Sequence, residues 1–121
     1  MPLAYLLDEH VRGLLHRYIQ RHNALGRPWI DAVQVGDPPD LRLGSLDPAL
    51  LLWAERERRI LVSRDTGTLV THLREHLAMG RHSPGIFLLR DVALSEIVEF
   101  LACAAHASEA AEWRDTATFI P

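Results

Sequence analysis

The segment Arg59-Ile60-Leu61-Val62-Ser63-Arg64-Asp65-Thr66-Gly67-Thr68-Leu69-Val70-Thr71-His72 decides the fold class. Ile60, Leu61 and Val62 form a short apolar, partly β-branched run that reads as a buried strand. Asp65 follows at once, and Thr66-Gly67-Thr68 leads into Leu69, Val70, Leu73 and Leu77, which have helical spacing. A carboxylate therefore stands just past the carboxyl end of a strand, where a helix begins. In open α/β sheets that edge is where ligands bind. The start of the chain repeats the arrangement: Leu3 to Leu7 reads as a strand, with Asp8 and Glu9 at its end and a helical stretch behind them.

Outward from these two units the chain keeps alternating. Val11, Leu14, Leu15, Tyr18 and Ile19 are expected on one face of a helix that ends between His22 and Gly26. Trp29 to Val35 reads as a second strand, broken by Gly36-Asp37-Pro38-Pro39-Asp40. Asp47-Pro48 opens the next helix, with Asp47 expected as its N-cap and Pro48 as its first helical residue. Leu50, Leu51, Trp53 and Ala54 supply its apolar face. Ile86 to Leu89 reads as a strand, Leu94 to Ala105 as a helix begun near Ser95, and Thr118-Phe119-Ile120 as a short edge strand. The pattern predicts one α/β domain over residues 1–121, with a mainly parallel sheet of four to five strands and helices on both faces.

Composition narrows the function classes. A net charge of −3 argues against a generally basic nucleic-acid coat and leaves room for a local patch. All 13 basic residues are Arg, so any mechanism that requires a lysine is excluded. A phosphoryl-receiver domain, which also pairs acids after its first strand with an aspartate after its third, ranks low on that ground. Cys103 is the only cysteine, which forbids an intrachain disulfide and fits a reducing, cytoplasmic setting. No basic segment precedes the first apolar residues, so a signal peptide is not expected. No apolar run reaches the roughly 18–20 residues of a membrane span.

Asp8, Asp47 and Asp65 share one property: each lies at or just before a helix start. One reading is helix capping, since Asp is a preferred N-cap and its charge complements the helix dipole. The other is a Mg²⁺ or Mn²⁺ site, because hard divalent ions take carboxylate oxygens and retain waters. The two are compatible, since a cap leaves carboxylate lone pairs free. His72 and His76, four apart on one helix, are either a Zn²⁺ pair or a solvated or partly buried pair, and His10 is near enough to Asp8 to reach a site. Cys103, Trp53 and Phe87 are expected in the core. Arg12, Arg64 and Arg90, beside strand ends, are the candidates for holding phosphate.

These residues also carry a family likeness. Leu6-Leu7-Asp8-Glu9-His10 resembles the opening of the short PIN-like domains, a branch related to the VapC toxin nucleases. Leu43-Gly44-Ser45-Leu46-Asp47-Pro48 with Leu51-Leu52-Trp53-Ala54 resembles their second block, and Arg59 to Asp65 their third. Pro84-Gly85-Ile86-Phe87 and Phe119-Ile120-Pro121 are similar as well. The resemblance implies a three-layer α/β/α fold and an acidic cluster for Mg²⁺ or Mn²⁺. It further implies cleavage of single-stranded RNA, often by the toxin of a toxin–antitoxin pair, with a cognate antitoxin and a homodimer as partners. By position Asp8, Asp47 and Asp65 match the acidic places as metal ligands and catalytic residues, and Glu9 matches an adjacent acid. Many relatives carry another acid two residues after the third-block aspartate, where this chain has Gly67. Asp91 is the candidate to compensate. The alternative is a non-catalytic PIN-like module that binds a partner protein or RNA.

Overall fold

A computed structural model describes residues 2–11 and 13–121. Five strands, β1 (Ala4–Leu7), β2 (Asp31–Gln34), β3 (Ile60–Ser63), β4 (Ile86–Leu89) and β5 (Ala117–Ile120), form one sheet in the order β2-β1-β3-β4-β5. Every neighbouring pair is parallel, with Leu6 opposite Val33 on one side and Leu61 on the other. The helices are α1 (Leu14–Ala24), α2 (Asp47–Glu57), α3 (Thr68–Ala78), α4 (Leu94–Ala107) and the short α5 (Ala110–Trp113). Parallel strands need crossovers, and crossover helices cover both faces of the sheet, so the inner strands must be apolar throughout. β3 and β4 accordingly have every residue buried. The expected α/β/α architecture is what forms, and the sheet is wholly parallel.

Strand alternation divides the core. Tyr5, Leu7, Val62, Phe87, Leu89 and Ile120 pack on the side where Leu15 and Ile19 of α1 and Ile97 and Leu101 of α4 close over them. Leu6, Leu61, Ile86 and Leu88 face the opposite side, against Leu50, Leu51 and Trp53 of α2 and Leu69 and Leu73 of α3. Tyr5 is fully buried, and its hydroxyl donates to the Leu101 carbonyl at 2.7 Å. That bond satisfies the phenol inside the core, and burial pushes its pKa upward. The chain runs outward from β1 to β2, then crosses to β3 on the other side of β1. The topological switch point thus lies between the carboxyl ends of β1 and β3. On the open side of β2, the Asn23 carboxamide donates to the Ile30 carbonyl and accepts from the Ile30 N–H, both at 2.9 Å, as another strand would.

Several local expectations are corrected. Residues 9–11 form a separate 3₁₀ turn, and α1 begins only after Gly13 at φ 88°. The helix phase therefore restarts, and Leu15, Ile19 and His22 are its buried residues, while Leu14 and Tyr18 are exposed. Asp47 is not the N-cap of α2: Leu46 takes the extended cap conformation, Asp47 is the first helical residue and Pro48 the second. In α4 the inner positions are Ile97, Val98, Leu101, Ala102, Ala104 and Ala105, which turns Cys103 outward to solvent. Trp53 and Phe87 are core residues as expected. No helix among the described residues is long and apolar enough to cross a membrane.

Gly85, entering β4, sits at φ +124°, and a Cβ there would meet the Trp113 carbonyl oxygen at 2.5 Å. The Trp113 ring in turn stands edge-on to Phe87, centroids 4.9 Å apart. Gly85→Ala is expected to cost about 2–4 kcal/mol through backbone strain and displacement of this contact. Gly26→Ala, at φ +73° with open space around it, should cost only about 1 kcal/mol. Urea denaturation of the two variants measures the difference.

Candidate functional site

The acids collect at the switch point. Asp8 continues the ladder beyond β1, its N–H donating to the Val62 carbonyl at 2.9 Å. Its side chain is only 6% exposed, so both carboxylate oxygens need donors. Oδ1 accepts from the Glu9 N–H at 2.6 Å, and Oδ2 accepts from the Ser63 hydroxyl at 2.7 Å. Ser63, the last residue of β3, uses the same oxygen to accept the Asp65 N–H at 3.0 Å. One buried hydroxyl therefore ties the end of β1 to the loop after β3.

From Asp65 the network continues into the helices. Its Oδ1 accepts the Gly67 N–H at 3.0 Å, and its Oδ2 accepts a short bond from the Thr68 hydroxyl. The Thr68 hydroxyl, joined by the backbone N–H groups of residues 67–69 and opposed by partial burial, holds the Asp65 carboxyl below the usual carboxylate range. Thr68 Oγ1 also lies 3.5 Å from Asp47 Oδ2, and His72 Nδ1 approaches that same Asp47 oxygen at 3.0 Å. The carboxylate accepts, so this imidazole nitrogen carries the proton. Asp8, Ser63, Asp65, Thr68, Asp47 and His72 thus form one connected row across the ends of β1 and β3 and the starts of α2 and α3.

Other residues expected at the site occupy distinct places. Glu9 Oε1 accepts from the Gly44 N–H at 2.5 Å, anchoring the loop ahead of α2 to the row's edge. Arg64 is exposed between Ser63 and Asp65. Arg90 is exposed beyond β4, with its guanidinium 5.4 Å from the centre of the Phe119 ring. Asp91 is exposed, and no hydrogen bond among the described residues joins it to the row. Arg12 lies outside the described residues. The two histidines of α3 separate: His72 serves Asp47, while buried His76 directs Nε2 to Glu55 at 2.8 Å and to the His82 carbonyl at 2.9 Å. They do not form a shared Zn²⁺ pair.

Among the described residues no three His, Cys, Asp or Glu side chains come together as a metal-holding group. The row instead links Asp8 to the Asp65 backbone through the Ser63 hydroxyl, and the Asp65 and Asp47 carboxylates through the Thr68 hydroxyl. For Mg²⁺ or Mn²⁺ this donor set is suitable, since such ions are commonly bound through one or two carboxylates and complete their octahedron with water and substrate phosphate. Asp8 and Asp65, just past the ends of β1 and β3, are the acids of the row that flank the switch point. Each retains lone pairs beyond those its donors occupy.

Ser63 and Thr68 were not singled out from the sequence as site residues, and His72 was weighed only as a Zn²⁺ partner of His76. Their signal lies in spacing: Ser63 has the strand parity of Leu61 and stands two before Asp65, Thr68 opens α3, and His72 follows one turn later on the same helix face. No family model, curated protein or solved structure matches the chain.

A depressed folded-state pKa at Asp65 stabilises the fold above the unfolded carboxyl pKa, and this contribution fades as pH falls through the folded value. Thr68→Val removes the first cause of the depression. The Asp65 carboxyl is then expected to titrate at higher pH, which ¹³C NMR of the carboxyl carbons measures directly, and its share of the acid-induced stability loss should become smaller and end at higher pH.

Proposed function

We propose that the edge between β1 and β3 binds and hydrolyses phosphodiester bonds of single-stranded RNA with the help of Mg²⁺ or Mn²⁺, as a PIN-type ribonuclease. The observation that carries this reading is the Ser63 hydroxyl at the switch point, which donates to the Asp8 carboxylate and accepts the backbone N–H of Asp65. Asp8 and Asp65 would hold the ion, which supplies charge neutralisation at the phosphate and a more acidic bound water. Asp47, which His72 contacts and which is partly exposed, would accept a proton or complete the ion's shell. Arg64 and Arg90 would receive flanking phosphates, where planar guanidinium forks suit the oxygens; Arg12, expected beside them from the sequence, lies outside the described residues. The likeness to the VapC branch extends the proposal to a toxin paired with a cognate antitoxin, acting as a homodimer in the cytoplasm.

Gly67 supports a second reading, a non-catalytic module that binds RNA or a partner protein. Its place lacks the acid many PIN relatives carry, and a Cβ there would meet nothing closer than Asp65 Oδ1 at 3.9 Å. Calorimetric titration of Mn²⁺ in the presence of a non-hydrolysable RNA analogue, beside cleavage of a fluorescent single-stranded RNA, separates the two. Asp8→Asn and Asp65→Asn are each expected to lower cleavage by at least about 100-fold. Gly67→Asp, adding a carboxylate beside Asp65, should tighten Mn²⁺ binding. Unchanged cleavage in both asparagine variants overturns the nuclease reading, and RNA binding without turnover by the parent protein establishes the module.

A further inference from the structure

Behind the acid row, on the other side of the sheet, lies a cleft of about 160 Å³. Its walls are apolar: Val11 and Leu15 on one side, Leu89 and Val92 on the other. Two basic side chains, His10 and Arg64, line it as well. Val11, Leu15 and Leu89 belong to the core layer under α1 and α4, whereas the acid row is built on α2 and α3. The cleft and the row therefore occupy opposite faces of one sheet edge. They share their chain segments, since His10 stands two residues after Asp8 and Arg64 is the residue between Ser63 and Asp65.

We propose that this cleft receives a single-ring nucleobase, a pyrimidine, from a nucleotide whose phosphate is held by Arg64. The inference rests on the nuclease reading for which strand it serves, and on the cleft itself for what it holds. Nucleobases bound outside a stack are gripped between apolar or aromatic side chains, and leucine and valine walls provide this here. Arg64, exposed and permanently charged, provides the charge complement to a phosphate, and His10 lines the same mouth. The volume limits the guest. It is about half the 300 Å³ at which pockets for larger ligands begin, so a base enters with its sugar left outside, and the smaller one-ring bases fit with the most room. A base seated there leaves its phosphate beside Arg64, next to Asp65, so the adjoining phosphodiester extends over the acid row.

The test is an NMR-monitored titration of the full chain in EDTA with uridine monophosphate, adenosine monophosphate and inorganic phosphate. Uridine monophosphate is expected to bind at least about tenfold tighter than phosphate and tighter than adenosine monophosphate, with shifts at the methyls of Leu89 and Val92. Leu14 also lines the cleft and is 56% exposed, so Leu14→Asp alters the mouth without disturbing the core. That variant should lose the tenfold preference while keeping its thermal midpoint. Uridine monophosphate binding no tighter than phosphate, or equally tight in Leu14→Asp, overturns the cleft, and equal binding of adenosine monophosphate overturns its single-ring size. The parent protein separates the two readings. Uridine monophosphate binding by a parent protein that cleaves no single-stranded RNA sinks the nuclease reading alone, and cleavage without nucleotide preference sinks this one alone.

Discussion

The buried carboxylate of Asp8 is the constraint on which the functional end of the molecule depends. A charge that is only 6% exposed is tolerated only when its oxygens are paired, and Ser63 supplies the donor that reaches it from the neighbouring strand. Because the same hydroxyl accepts the Asp65 N–H, the position of the second acid follows from the needs of the first. Each further step is local. Asp65 gathers Gly67 and Thr68 at the start of α3, and the helix carries His72 to Asp47 one turn later. A row of polar groups on separate elements is thus fixed by a chain of hydrogen bonds that starts at a single buried charge.

The opposite end of the sheet is held by a different set of charges, which frees the switch point from carrying the fold. Buried His76 bridges Glu55 of α2 and the His82 carbonyl, and Arg81 joins the same Glu55 oxygen at 3.2 Å. Asp115 accepts from the Ser83 N–H at 2.7 Å and pairs with His82 at 2.9 Å. These contacts bind the loop before β4 to the segment before β5 and to α2. The Ser83 and His82 contacts draw the Asp115 carboxyl below its ordinary range against the effect of burial. Polar groups at this end have partners within the fold, whereas Arg64, Arg90 and the rim of the acid row face solvent.

The strands were legible because fully buried parallel strands are continuous apolar runs, and Ile60–Val62 and Ile86–Leu89 have no polar interruption. The strand-end positions of Asp8 and Asp65 were legible for the same reason, since a strand's end locates the residue after it. Helix phase was less so. Val11 shares the 3.6-residue spacing of Leu14 and Leu15, but Gly13 at positive φ breaks the phase, and no property of Val11 itself announces that. Asp47 looked like a cap because Asp before Pro usually is one. Its carboxylate has a better offer from His72, 25 residues away, which spacing alone does not reveal. The hydroxyls of Ser63 and Thr68 were the hardest to read. Serine and threonine are common everywhere, and only the three-dimensional position of a buried acid gives these two a role.

Strand parity accounts for how one edge can carry two unlike environments. Leu6, Leu61 and Ser63 point toward α2 and α3, so a polar residue placed at the end of that series meets the helix starts, where N–H groups and hydroxyls are plentiful. Leu7, Val62 and Leu89 point toward α1 and α4, where the 3₁₀ turn and the late start of α1 set Val11 and Leu15 beside the end of β4. The first side yields an acidic row and the second an apolar cleft, separated by one residue of alternation. Arg64 stands between them in sequence, after the last strand residue and before Asp65. A ligand with a flat apolar part and a charged phosphate matches that division in a way that a uniformly polar or uniformly apolar one does not.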